Sequence, residues 1–158
     1  NQEKLPIGVL TADCVPILLH DSKRNYIAAI HAGWRGAFKG IINKVISFMI
    51  MKGSEAKSIT AVIGPCIKKN SYNVREDFKN KFIKKDKKNK KFFTTKEKII
   101  YFDLSNFVKS QLKSNKITNI DMINIDTFDK KNNFFSARRS LKLKHADYGR
   151  NISIIMIN

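Results

Sequence analysis

The sequence predicts an α/β fold, a layered mixed β-sheet with helices packed on it. Three observations carry this. Short runs rich in β-branched residues recur from the start, the apolar period lengthens to a helical one at Phe38, and strand-like and helix-like segments then alternate to the end. The 158 residues suffice for one core and no Pro/Gly-rich linker divides them, so residues 1–158 read as a single domain.

Ile7–Thr11, residues 15–20 and residues 26–31 read as strands, the last two joined by the turn Asp21-Ser22-Lys23-Arg24. Phe38, Ile41, Ile42, Val45, Ile46 and Met49 repeat at the i, i+3, i+4, i+7 spacing of a core-facing helix, which Gly53-Ser54 ends. A buried strand is predicted over residues 58–63, closing at Gly64-Pro65, and an amphipathic helix over residues 74–83. Residues 79–98 hold ten lysines opposed only by Asp86 and Glu97, and read as a solvated helix end and loop. Asp103 is placed to cap a helix with Leu104, Phe107, Val108 and Leu112 on its apolar face. Strands over residues 119–125 and 151–157 complete the chain.

Charge is the most conspicuous bulk property. Thirty-one Lys and Arg face 13 Asp and Glu, giving +18 and a pI near 10.0. A Lys-rich surface attracts phosphate backbones without reading sequence. Here, though, 25 of the basic residues are Lys and six are Arg, alongside 22 Ile and 15 Asn, the residues that AT-rich codons supply. The charge therefore reads as genome composition, and no specific nucleic-acid partner is expected. No apolar run is long enough to span a membrane, and residues 1–4 lack a signal-peptide pattern, so a cytoplasmic chain with no membrane partner is expected. Cys14 and Cys66 lie in unlike contexts and read as reduced thiols. The chain begins without Met and enters a strand almost at once, which suggests a missing upstream segment.

The candidate chemistry lies in the first third. If the first hairpin closes around the four-residue turn, His20 opposes Asn25 and Cys14 opposes His31, with both faces of the pair apolar. Opposed Cβ atoms lie about 4.5–5.5 Å apart, close enough for a thiolate and an imidazole to share a metal ion. The other reading makes Cys14 a small core residue and His31 a hydrogen-bonded strand-end histidine. His20 lies about 20 Å along the strand from Cys14, too far to be a third ligand, and His145 is unplaced. Pro16 predicts that the strand is bulged or at a sheet edge.

Gly33-Trp34-Arg35-Gly36 joins a strand to a helix, and Arg35 sits where an anion clamp at a helix N-terminus would lie. The plainer reading is a turn with a packing Trp and a surface Arg. Neither GxxxxGK nor GxGxxG occurs. Arg138, Arg139 and Arg150 are half of the arginines and fall near the C-terminus, in Phe134-Phe135-Ser136-Ala137-Arg138-Arg139 and Gly149-Arg150. Used sparingly in a Lys-biased chain, they are candidates for phosphate or substrate contacts.

TADCVPILL, AAIHAGWRG, AVIGPCI followed by SYNV, and FFSARRS with a later GR resemble, in order, the motifs of the bacterial YfiH/YlmD family, related to human laccase domain-containing protein. The resemblance implies an α/β fold of the kind shared with cytotoxic necrotising factor catalytic domains. It also implies a zinc-dependent purine nucleoside phosphorylase acting on adenosine, inosine, guanosine and methylthioadenosine with inorganic phosphate, with adenosine deaminase activity alongside. By the same resemblance Cys14 and His31 match two zinc ligands, and the third, a histidine, belongs to a segment upstream of TADC that this chain lacks. An open zinc position would lower the pKa of a bound water for deamination. Phosphorolysis needs an anion beside a sugar carrying positive charge, for which Arg35, Arg138, Arg139 and Arg150 are the candidates, with Arg35 taken as catalytic. Asn73 stands where members often have Glu, and Ala137 where His or Tyr is common.

Two other classes follow from the same sequence. Copper-dependent polyphenol oxidation is the older description of the family, but three histidines are too few for a multicopper centre. A truncated, inactive member acting as a basic binding domain would use the lysine-rich stretch.

Overall fold

The computed structural model describes residues 2–158. Nine strands and five α-helices alternate: β1 (Ile7–Thr11), β2 (Val15–Asp21), β3 (Tyr26–Ala32), α1 (Trp34–Phe38), α2 (Ile41–Met51), β4 (Ile59–Ile63), β5 (Asn73–Val74), α3 (Glu76–Lys85), β6 (Phe93–Lys96), β7 (Ile99–Phe102), α4 (Leu104–Ser114), β8 (Asn119–Met122), α5 (Ala137–Lys142) and β9 (Asn151–Ile155). The expected mixed α/β fold is present. It is built from a four-stranded sheet in the order β3-β2-β4-β8, a three-stranded sheet β5-β7-β6 and a two-stranded sheet β1-β9. Only β4 and β8 run parallel, after the crossover through α3 and α4.

The main core is aliphatic. Val15, Ile17 and Leu19 on β2 and Ile59, Ala61 and Ile63 on β4 alternate inward, and meet Ile42 and Ile46 of α2 and Val108 and Leu112 of α4. Asp103 caps α4 as expected, its carboxylate accepting from the Asn106 N–H at 3.0 Å. The other face of β2 is only half-buried, at Cys14, Leu18 and His20, and the β1-β9 pair lies against β2 and β3.

Five expectations are corrected. The first hairpin is slipped by two residues, so that His20 opposes Ile27 and Pro16 opposes His31. The reason lies in the turn: Asp21 stays in the strand and its carboxylate accepts from the Lys23 N–H at 3.0 Å, while Asn25 takes a left-handed φ of 54° that no ladder residue adopts. A slip of two preserves the faces, so Cys14 and His31 remain on one side of the sheet.

The strand carrying Pro16 is interior rather than an edge. The Pro16 carbonyl accepts from the Gly64 N–H at 2.9 Å. A residue's N and O point to the same side of a strand, so the missing donor faces away from β3 and costs that ladder nothing.

The helix predicted from Phe38 is split into α1 and α2 by Gly40, whose φ of 83° breaks it. The helix predicted from residue 74 begins instead at Glu76, where Glu76 and Asp77 occupy the first turn and Lys84 and Lys85 the last, both favourable to the helix dipole. Val74 belongs to β5, paired with Ile100. The lysine-rich stretch is not a plain loop, because it carries the end of α3, a short 3₁₀ turn and β6, anchored by buried Phe82 and Phe92.

Candidate functional site

Cys14 lies just before β2 and His31 near the end of β3, and Gly33 is what lets them converge. A Cβ built on Gly33 would lie 2.8 Å from Cys14 Sγ and 3.9 Å from His31 Nε2. The thiol and the imidazole therefore border the same small space above a residue that has no side chain to fill it. Burial, with the Asp13 carboxylate beside it, pushes the Cys14 thiol above its ordinary pKa. A metal ion would displace that proton on binding.

Sulfur and imidazole nitrogen are donors that zinc prefers. The fit is right in type and short in number, because among the described residues no group of three His, Cys, Asp or Glu side chains is placed to hold a metal. A catalytic zinc takes three protein ligands.

Asp13 ties this pair to the C-terminal third. Its carboxylate, nearly buried, accepts from the Thr127 hydroxyl at 2.7 Å and from the peptide N–H of Arg138 at 2.8 Å, while its carbonyl accepts from the Ile67 N–H at 3.1 Å. Two segments 125 residues apart are thereby joined. Sequence reading quoted Asp13 within TADC and gave it no role. It also missed α5, whose signal was Ser136: the Ser136 hydroxyl caps the helix by accepting from the Arg139 N–H at 3.1 Å.

The structure separates the four candidate arginines. The Arg138 guanidinium lies 5.0 Å from the Tyr72 ring centroid, and its Nη1 donates to the Asn73 carbonyl at 3.0 Å and to Asn73 Oδ1 at 2.8 Å. It lines a cleft of about 150 Å³ with Asp13, Cys14, Trp34 and Tyr72. It also lines a neighbouring cleft of about 360 Å³ with Trp34, Tyr72, Arg75 and Lys81. Arg139 is committed elsewhere, since its guanidinium donates to the carbonyls of Thr127 and Phe128 at 2.9 and 3.0 Å and to that of Phe134. That is a clasp on the loop before α5. Arg150 stacks on Tyr148 at 4.0 Å and lies 3.9 Å from the Asp147 carboxylate.

Arg35 lies 5.2 Å from the Trp34 ring centroid. The helix it was expected to start has only five residues, so little dipole is available there for an anion. Of the four arginines, Arg138 shares a cleft with Cys14, and Arg35 reaches the same cleft only through the indole it covers.

Tyr72 and Trp34 were not singled out as site residues from sequence. Burial holds the Tyr72 hydroxyl well above its ordinary pKa, at about 12, despite the opposing pull of Arg138. Cys66 is fully buried, and burial raises its thiol to about 11. A buried thiol held in its protonated form is a poor nucleophile, and Cys66 reads as structural.

Fold and site together define an α/β protein with a paired thiol and imidazole beside a cationic, aromatic-walled cleft. The chain belongs to the YfiH family: the family model described as multi-copper polyphenol oxidoreductase laccase matches residues 1–158. A Rickettsia conorii protein named purine nucleoside phosphorylase is 39% identical over 154 residues, covering 96% of this chain and 63% of the relative. A Rickettsia prowazekii protein of the same name is 38% identical over 146 residues, covering 91% of this chain and 60% of the relative. The chain thus spans less than two thirds of the length of these relatives. Among solved structures, the Bacillus licheniformis hypothetical protein YfiH superposes with a TM-score of 0.88 at 30% identity, covering 99% of this chain and 59% of that one. YlmD from Geobacillus stearothermophilus, at 22% identity and a TM-score of 0.84, has the same fold.

Proposed function

We propose that this chain is the larger part of a zinc-dependent purine nucleoside phosphorylase, acting on adenosine, inosine, guanosine and S-methyl-5′-thioadenosine with inorganic phosphate, and deaminating adenosine as a second activity. The observation that carries the reading is the convergence of Cys14 Sγ and His31 Nε2 over Gly33, in contact with a cleft that Arg138 lines. The relatives' names supply the substrate class. Cys14 and His31 would hold the zinc together with a third donor from outside the described residues. When bound, zinc supplies a Lewis acid that polarises an oxygen or activates a water.

The chain's own residues account for the rest of phosphorolysis. A phosphate oxygen attacks the ribose anomeric carbon, the glycosidic bond breaks, and its electron pair leaves with the base. Arg138 is positioned to hold the phosphate while positive charge develops on the sugar. Trp34 and Tyr72 offer flat apolar walls for a base or ribose, and the un-ionised Tyr72 hydroxyl stays a hydrogen-bond donor at neutral pH. Arg35 contributes by fixing Trp34.

The test is phosphate-dependent conversion of adenosine to adenine and ribose 1-phosphate by the zinc-supplemented protein. Cys14→Ala, His31→Ala and Arg138→Ala should each reduce turnover at least about a hundredfold. Full turnover in both Cys14→Ala and His31→Ala rejects the assignment. The copper oxidase named in the family description would need a histidine-rich centre. Its separate test is copper-dependent oxidation of a phenol.

A further inference from the structure

Net charge alone carries no nucleic-acid partner, because scattered lysines are what base composition supplies. Placement is a different property. Lys81 and Lys85 stand on successive turns of α3, with their ammonium groups against rings of α1. Lys81 lies 5.5 Å from the Trp34 centroid and 5.4 Å from that of Phe38, and Lys85 lies 4.3 Å from Phe38. At one end Arg35 also lies over Trp34 and Arg138 over Tyr72; at the other Lys91 lies 5.1 Å from Phe92. Six of the nine cation–ring contacts among the described residues fall on this one surface, so the pairing is local and not a by-product of a lysine-rich chain.

The cleft of about 360 Å³ beside Trp34 and Lys81 is followed by a second of the same volume beside Phe38, lined by Lys85, Lys88 and Lys91 with Ser110 and Ser114. Lys81, in reach of both rings, spans the step between them. Four residues of an α-helix advance about 6 Å. Lys88 and Lys91, three apart on the 3₁₀ segment Lys87–Phe92, are eclipsed at a similar step of about 6 Å. The four lysines are exposed, and among the described residues no ion pair includes them. The nearby carboxylates are engaged: Asp86 accepts from the Lys88 N–H at 2.8 Å, and Asp77 pairs with Arg75 at 3.7 Å.

Evenly stepped cations interleaved with half-buried rings make a surface that holds a single strand without reading its sequence, the ammonium groups taking phosphates while the rings stack bases. A duplex would leave the rings idle, because its bases are already stacked. We propose that this face of α1, α3 and the 3₁₀ turn binds single-stranded nucleic acid. On binding, the lysines that rest on Trp34 and Phe38 swing to phosphates and yield the ring faces to bases. The track runs beside the Cys14–His31 pair and not through it, so strand binding needs neither metal nor nucleoside turnover.

The experiment is fluorescence anisotropy of a labelled oligothymidylate of about ten nucleotides titrated with the full chain. Wild type is compared with a track variant, Lys81→Gln/Lys85→Gln/Lys88→Gln/Lys91→Gln, and with a control that loses the same charge elsewhere, Lys98→Gln/Lys113→Gln/Lys116→Gln/Lys130→Gln. All these lysines are exposed, and an unchanged thermal midpoint checks that both variants fold. The track variant should bind at least about tenfold more weakly and flatten the slope of log affinity against log salt by about 3, each lost phosphate contact on a single strand contributing about 0.7. The control should lose less than about threefold. Trp34 is the single tryptophan of the chain, so stacking on the track should quench its emission in wild type.

Equal losses in the two variants would overturn the proposal, because diffuse charge and not the track would then be the cause. Trp34 emission that stays unmoved at saturation would also overturn it. So would a polyphosphate of matched charge that binds as tightly and quenches Trp34 as much, since the rings would then have no part in recognition. A duplex that binds as tightly as the single strand would reject it on the same ground.

Discussion

The four-stranded sheet and the three-stranded sheet solve the packing problem with different side chains. Around β2 and β4 the core is aliphatic, with Ile17, Leu19, Ile42, Ile46, Ile59 and Ile63 almost wholly buried. Around β7 and α3 it is aromatic: Phe82 lies within 4.8–6.4 Å of the rings of Trp34, Phe38, Phe78, Phe93, Phe102 and Phe107. Branched aliphatics on a strand leave few voids and hold the backbone that carries Cys14 and His31. Rings packed edge to face leave flat surfaces at their margin, and there Trp34, Tyr72 and Phe78 wall the cleft. One region holds donor atoms in place; the other shapes the space beside them.

The comparison can be broken most forcefully at Phe82. Phe82→Ala should cost about 3–5 kcal/mol, since the cavity would open at the centre of six rings. It should also widen the cleft walled by Trp34 and Phe78. Ile46→Val in the aliphatic region should cost only about 1 kcal/mol. Urea unfolding of the two variants checks the contrast, and similar losses would mean that the aromatic cluster is not a separate stabilising unit.

The joint between the regions comes next. Asp13→Ala leaves the Thr127 hydroxyl and the Arg138 N–H without their acceptor, at a cost of about 2–4 kcal/mol. Cys14→Ala, which removes no such bond, should cost less. If Asp13→Ala is neutral in denaturant, the link to α5 contributes nothing.

Alkaline pH probes the aliphatic side through Cys66. Its thiol is raised from 9.0 to about 11 in the folded chain, so the folded state retains a proton that the unfolded state loses. The associated stability is fully present below pH 9 and is lost as pH rises through about 11, some 2–3 kcal/mol in all. Tyr72 adds a second loss between pH 10 and about 12 on the aromatic side. Cys66→Ala should reduce the first step, to which Cys14 also contributes because burial raises its thiol, and leave the second, read from unfolding midpoints between pH 8 and about 11.

Gly33→Ala should have a small effect on stability. Its Cβ would meet Cys14 Sγ at 2.8 Å, which should cost about 1–2 kcal/mol as the thiol shifts. The larger consequence is local, because the shared space would be filled. Zinc affinity, measured with a competing chelator, should fall at least about tenfold, and an unchanged affinity would show that the metal lies elsewhere.

Much of the aliphatic region was legible because its signals are local. Apolar alternation marked β2, β3 and β4, the helical period marked α2 and α4, and Asp103 announced its own cap. The β5-β7-β6 sheet was not legible: β5 has two residues, and β6, Phe93-Thr94-Thr95-Lys96, is too short and has too few apolar residues to show an alternating pattern, so only packing against the aromatic cluster makes them strands. The site followed the same division. Cys14 and His31 were found by residue type and spacing, with a register wrong by two and the shared face right. Tyr72, Asn73 and Arg138 meet through contacts spanning 65 residues, and no local pattern reports those.

By itself the sequence determined which elements form in the aliphatic half, that Cys14 and His31 share a face, and that arginine is scarce enough to be informative. Only the tertiary structure told the arginines apart by their contacts. Arg139 and Arg138 are adjacent and chemically identical, yet one guanidinium is saturated by loop carbonyls while the other is held by Asn73 with an edge to spare. That difference arises from where distant backbone comes to rest, which depends on the packing of the whole chain.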